Sequence, residues 1–241
     1  MNNIFLVTSA LIGPYGQISV QDRISQTIDT ALSIRKRVDN VKVYLIDGGM
    51  YPLGIKLRKE LFKYYDDILD FTQHDIIKFA HNQANDIGGL QIKAPCESFL
   101  LRKTCELLNT TENDRIFKIS GRYRLTDNFD ISLHHKEIGK YVFLNRLQPS
   151  TFEYAETLEH HTWTEYQYST RLYSFCGSML NEVIVDYQTI FDKLIEFYSR
   201  GDFIDLENST FMILNKNSVA EIPIMGLTGV FAAEPTTVLD E

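Results

Sequence analysis

RIFKISGRYRLTDN, the segment from Arg115 to Asn128, lies near the middle of a 241-residue chain. Ile116, Phe117 and Ile119 supply the apolar content of a buried strand, which then breaks into Ser120-Gly121-Arg122-Tyr123. An apolar strand that ends in glycine and arginine is a common way for an open α/β sheet to present an anion site at its carboxyl edge. Gly121 is expected to let a ligand approach the backbone, and Arg122 offers a planar fork matched to phosphate or carboxylate oxygens. The plainer alternative is a strand, a turn and a surface arginine. The elements on either side decide between the two.

Upstream, Ile4–Val7 is a short β-prone run that ends at Thr8-Ser9-Ala10, with a Gly-Pro-Tyr-Gly turn at 13–16. Ser19 is placed to cap a helix in which Ile24, Ile28, Ala31, Leu32, Ile34 and Val38 recur at helical spacing. Arg35, Lys36 and Arg37 fall in its last turn, where cations suit the helix dipole. Val41–Ile46 predicts a second strand ending at Asp47-Gly48-Gly49. Strand, helix, strand is a βαβ unit, which implies a parallel sheet. A helix from Pro52, a strand at Ile68–Phe71, a helix over Asp75–Ala84, a Gly88-Gly89 loop and a helix over Ser98–Leu108 with Leu107 and Leu108 inward complete this half.

Downstream the pattern loosens. Strands are predicted at Tyr141–Leu144, Leu172–Cys176 and Val219–Met225. Leu180–Tyr198 forms a broad apolar helical face stopped by Gly201, and Asp205-Leu206-Glu207-Asn208 leads a short helix.

A net charge of -8 argues against a nucleic-acid surface. No apolar run approaches the roughly 20 residues needed to span a membrane. The N-terminus lacks a basic n-region and reads as a first strand, not a signal peptide. Cys96, Cys105 and Cys176 are odd in number and have no CxxC spacing, which fits buried thiols in a reducing, cytoplasmic compartment.

This order of elements resembles the GT-A glycosyltransferases, over most of the chain to about residue 215. Lys118-Ile119-Ser120-Gly121-Arg122-Tyr123 looks like the K-[IL]-[ST]-G-R-Y phrase of small bacterial and phage glycosyltransferases. It stands where such enzymes usually carry Asp-x-Asp. The resemblance implies a GT-A-like, Rossmann-like α/β fold with a mixed, mostly parallel sheet flanked by helices in a single domain. Residues 1–130 would be the nucleotide-sugar-binding half, 131–230 the acceptor side and 231–241 a tail. It further implies a nucleotide-sugar donor, a UDP-sugar first, and a glycan or other hydroxyl acceptor. Thr8, Ser9 and Ala10 would lie near the base, and Asp47 and Gly48 near base or ribose. Ser120, Gly121, Arg122 and Tyr123 would meet the diphosphate and sugar, with Lys93 or Arg124 assisting. Phe175-Cys176-Gly177-Ser178 resembles the strand end beside the acceptor. Glu207, with Asp205 as second choice, falls in the acidic segment where inverting members place their base.

The chemistry behind those roles is general. Sugar transfer from a nucleoside diphosphate makes a dianionic leaving group, which a metal or an array of cations and N–H groups must stabilise. Without Asp-x-Asp no metal ligand is assigned. Asp127 and Asp130 remain candidates for manganese or magnesium, although each reads first as a solvated loop acid. An inverting enzyme needs a carboxylate within about 3 Å of the acceptor hydroxyl. Asp205 reads equally well as a helix cap.

Two rivals share the fold. A nucleotidyltransferase would need metal carboxylates and a basic Gly-rich loop after the first strand, and neither is visible. A non-catalytic nucleotide-sugar-binding module is favoured by the missing Asp-x-Asp. Adjacent side chains do not converge on one metal, so His134-His135 and His160-His161 read as packing and surface residues. Trp163 with Tyr154, Tyr166 and Tyr168 is a candidate sugar platform that reads first as packing.

Overall fold

The computed structural model describes residues 2–13, 18–84, 93–148, 164–230 and 238–241. The first half alternates strand and helix: β1 (Asn3–Ser9), α1 (Val20–Arg37), β2 (Val41–Asp47), α2 (Ile55–Leu61), β3 (Asp67–Asp70), α3 (Asp75–Ala84), α4 (Lys93–Leu107) and β4 (Arg115–Ser120). β5 (Tyr123–Leu125), α5 (Ile131–His135), β6 (Tyr141–Leu144), β7 (Leu172–Cys176), α6 (Leu180–Ser199), α7 (Leu206–Ile213), β8 (Val219–Ile222), β9 (Leu227–Val230) and β10 (Val238–Asp240) follow. Seven strands form one sheet in the order β3-β2-β1-β4-β7-β6-β8. β3, β2, β1 and β4 run parallel, and β7 reverses the direction against β4. β4, which holds Ile116, Phe117 and Ile119, is therefore the middle strand and the last of the parallel set. β10, β9 and β5 make a small antiparallel sheet.

Strand pleating sends alternate residues to opposite faces, so the central strands feed two cores. Phe5, Val7, Phe117 and Ile119 lie under α1 and α2, and Phe5 and Phe117 stack at 4.4 Å between centroids. Ile4, Leu6, Ile116 and Phe175 lie under α4 and α6 with Phe99, Leu101, Val183 and Leu194. Burying each such side chain contributes about 1.5–3 kcal/mol, enough to fix the register wherever both faces are covered. Ser19 caps α1, accepting from the Asp22 N–H at 3.1 Å, as its position predicts.

Several boundaries depart from the sequence reading. The helix expected from Pro52 starts at Ile55 after Gly54, because the Leu53 N–H is held by the Asp70 carboxylate at 3.3 Å. The helix expected from Ser98 begins five residues earlier, at Lys93, and Pro95 is tolerated in its first turn. Leu107 faces solvent at 64% exposure, contrary to expectation. The last predicted strand ends at Ile222. Gly226, at φ +68°, then turns the chain so tightly that a Cβ would come within 2.2 Å of the Phe129 nitrogen. That turn launches β9 against β5, and Val238–Asp240 of the expected tail forms β10. The Gly-Pro-Tyr-Gly turn lies outside the described residues except for Gly13. Gly88-Gly89, His160-His161, Tyr154 and Trp163 also lie outside them.

Candidate active site

The carboxyl ends of β1 and β4 meet side by side, with Thr8 in register with Ser120. Two residues on, Arg122 leaves the strand partly exposed and makes no side-chain hydrogen bond or ion pair among the described residues. Lys93, exposed in the first turn of α4, likewise has no such partner among them. Arg23 of α1 donates to the carbonyls of Ile18 at 3.1 Å and Ala10 at 3.2 Å, which ties down the chain after β1. These three cations feel one another. The crowding of protein around Lys93, then the charges of Arg122 and Arg23, hold its ammonium below the ordinary lysine range. Burial and then Arg122 do the same to Arg23. Three elements thus bring positive charge to one place, the arrangement that receives an anion.

Beneath this cluster runs a polar network that sequence reading missed. Lys118 of β4 is fully buried. Its ammonium reaches Glu97 of α4 at 2.5 Å, Ser120 Oγ at 2.9 Å and the Thr170 carbonyl. Three acceptors for three protons offset a desolvation cost of roughly several kcal/mol. Thr8 Oγ1 also donates to Glu97, at 3.1 Å. Thr170 passes the network on: its hydroxyl donates at 2.7 Å to Glu207 in the first turn of α7. Burial first, and then the neighbouring Asp205 charge, push the Glu207 carboxyl up to about 7, against the opposing pull of Thr170 and Arg171. A carboxyl with that value is poised to exchange a proton near neutral pH. The signal for this network was Lys118 itself, a cation inside an apolar strand that both cores must cover.

The chain matches no protein-family model and no curated protein in sequence. Among solved structures, 92% of it aligns with 84% of mouse xyloside xylosyltransferase 1 in the apo form, at 8% identity and a TM-score of 0.48. It also aligns over 92% of its length with 73% of the galactosyltransferase LgtC in complex with donor and acceptor sugar analogues, at 9% identity and a TM-score of 0.52. The second likeness, with the seven-stranded sheet order, decides the architecture. The fold is GT-A-like.

Within the GT-A-like sheet the remaining predicted residues divide. Ser9 and Ala10 lie at the carboxyl edge beside Thr8, with Ser9 Oγ 3.4 Å from Thr27 Oγ1. Asp47 ends the neighbouring strand but is wholly buried, accepting from the Leu11 N–H at 2.8 Å and the Gly49 N–H at 3.3 Å. Burial raises its carboxyl to about 7, and its geometry makes it a brace between the loops after β1 and β2. Gly48 packs beneath α4, where a Cβ would meet Leu100 at 2.4 Å. Gly121 has a packing role. The space over its Cα is filled by Thr27 Oγ1 at 3.0 Å and the Thr8 carbonyl at 3.2 Å. The glycine therefore lets α1 pack close to the sheet on that side. Tyr123 is 1% exposed under Arg171, and Arg124 points away into solvent.

Cys176-Gly177-Ser178 corrects an expectation. β7 is antiparallel to β4, and Cys176 pairs with Arg115 at the amino end of that strand, about 17 Å from Ser120. There Arg115 donates to Cys176 Sγ and Ser174 Oγ, each at 2.9 Å, and the Gly177 N–H bonds the Asp114 carbonyl. The end of β7 that reaches the candidate site is its beginning, with Thr170 and Arg171. Asp205 caps α7, accepting from the Asn208 N–H at 2.7 Å.

The acids do not form a metal ligand set. Asp127 is 93% exposed and pairs with Arg37 at 2.7 Å, while Asp130 caps α5 through the Ser132 N–H. Among the described residues no three His, Cys, Asp or Glu side chains gather as a cation site. His134 and His135 diverge, to Ser174 and Asn3. Tyr168 stacks on Phe143 in the core, and Tyr166 lies under Arg146. No helix among the described residues is long and apolar enough to cross a membrane.

Proposed function

We propose that this chain is a glycosyltransferase that moves a sugar from a nucleotide sugar, a UDP-sugar in the first instance, to a hydroxyl of a glycan or similar acceptor in the cytoplasm. The observation that carries the reading is the convergence of Arg122, Lys93 and Arg23 beside the carboxyl edge of β1 and β4. In an open α/β sheet a ligand binds at that edge, and here three cations lie beside it on a protein of net charge -8. Arg122 forks onto the diphosphate oxygens, and Lys93 and Arg23 add charge around them. As the glycosidic bond breaks, negative charge grows on the leaving diphosphate, and these cations stabilise it more in the transition state than in the ground state. Thr8, Ser9 and Ala10 border the nucleoside, and Asp47 holds their loop in place. Glu207, oriented by the Thr170 hydroxyl, takes the proton from the acceptor hydroxyl as the new bond forms, which inverts the anomeric centre.

The test is turnover without an acceptor, since water can replace the hydroxyl slowly. Incubation with UDP-glucose, UDP-galactose or UDP-N-acetylglucosamine is expected to release UDP from at least one of them, read by coupled assay. Binding with no UDP release, even with a panel of glycan acceptors, would instead favour the non-catalytic binding module.

A further inference from the structure

Glu97, one turn after Lys93 on α4, has one carboxylate oxygen fixed by two side chains. Its Oε1 takes the buried Lys118 ammonium at 2.5 Å and the Thr8 hydroxyl at 3.1 Å. The carboxylate cannot swing away without leaving that ammonium short of an acceptor inside the protein. Oε2 has no protein partner among the described residues, on a side chain 28% exposed. Lys93 lies one turn earlier on the same face of α4, and its charge is the one that Arg122 and Arg23 influence. A rigid anionic oxygen therefore borders a site built for an anion. It repels phosphate, so the ligand group that meets it must be a hydrogen-bond donor without negative charge.

We propose that Glu97 is a sugar-specificity residue, whose Oε2 accepts a hydrogen bond from a ring hydroxyl of the donor sugar. This rests on the glycosyltransferase reading above. Lys118 and Thr8 act through it as positioning residues: they hold Oε1 so that Oε2 keeps one direction. A site made to bond a hydroxyl rejects the analogue that lacks it, by up to about 10⁴–10⁵-fold when fully buried. The partial exposure of Glu97 sets the expectation lower, at about 10–100-fold.

The experiment is calorimetric titration of the wild-type chain and of Glu97→Gln with UDP and with UDP-glucose, UDP-galactose and UDP-N-acetylglucosamine. Glu97→Gln is expected to weaken the best-bound UDP-sugar about 10–100-fold while UDP itself stays within about twofold, because UDP lacks the donor sugar ring whose hydroxyl meets Oε2. Equal loss for UDP and the UDP-sugar, or no loss for either, overturns the proposal and leaves the cation cluster standing. Failure of the wild-type chain to bind UDP or any of the sugars overturns the glycosyltransferase reading and this proposal with it. Should Glu97→Gln not fold, singly deoxygenated analogues of the best UDP-sugar decide on the wild-type chain. One of them is expected to bind at least tenfold more weakly, and equal binding of all overturns the proposal.

Discussion

Arg122→Ala is expected to lose about 10²–10³-fold in kcat, the cost of removing one preorganised donor from a developing negative charge. The fold should survive, because the Arg122 side chain is partly exposed and has no protein partner among the described residues to orphan. Its melting temperature should stay within about 2 °C of wild type, as expected for a surface change. Arg122→Lys should recover only part of the rate, since an ammonium keeps the charge but loses the bidentate fork. A split between intact stability and lost turnover separates an active-site arginine from a structural one. Full activity in Arg122→Ala would remove the phosphate assignment.

The second large effect belongs to Glu207. As general base it must be ionised, so kcat/KM should rise with pH through about 7, where burial and the Asp205 charge place its carboxyl. Glu207→Gln should lower kcat/KM by about 10²–10⁴-fold and leave a residual rate that no longer rises through that limb. The same residue makes an opposite prediction for stability. Its folded pKa lies above the ordinary 4.5, so between about 4.5 and 7 the folded state holds more protons than the unfolded one. Stability therefore falls as pH rises through that window. The neutral glutamine lifts this penalty, and Glu207→Gln should melt above wild type at pH 8 while turning over far more slowly. A variant that keeps its rate, or that melts lower at pH 8, would contradict the role.

Much of the fold was legible because its signals are local. Apolar runs at Asn3–Ser9, Val41–Asp47 and Arg115–Ser120, spaced by a capped helix, specify parallel strands without knowledge of their partners. β9 and β10 were not legible. LTGV is too short and too glycine-rich to announce a strand, and it is one only because Gly226 aims it at β5. Cys176-Gly177-Ser178 was misplaced for a related reason. The residues named a strand end correctly, but strand direction is a property of the sheet, and β7 runs the other way. At the site, Arg122 and Glu207 stood out by residue type and position. The Lys118–Glu97–Thr8 bonds did not, because they join three elements, with Thr8 and Glu97 separated by 89 positions of sequence. Gly121 carried a signal with a packing reading beside the ligand one, since a Cβ there would meet Thr27 Oγ1 at 3.0 Å.

Thermal-shift titration with nucleotide sugars in EDTA, repeated with manganese, tests the cation cluster as a diphosphate site most directly. A ligand that binds only the folded chain raises its melting temperature, by about 2.7 kcal/mol of added stability at one hundred times Kd. A shift is predicted with a UDP-sugar in EDTA, and its loss in Arg122→Ala. A shift that appears only with manganese, or none with any nucleotide, would contradict donor binding through Arg122, Lys93 and Arg23.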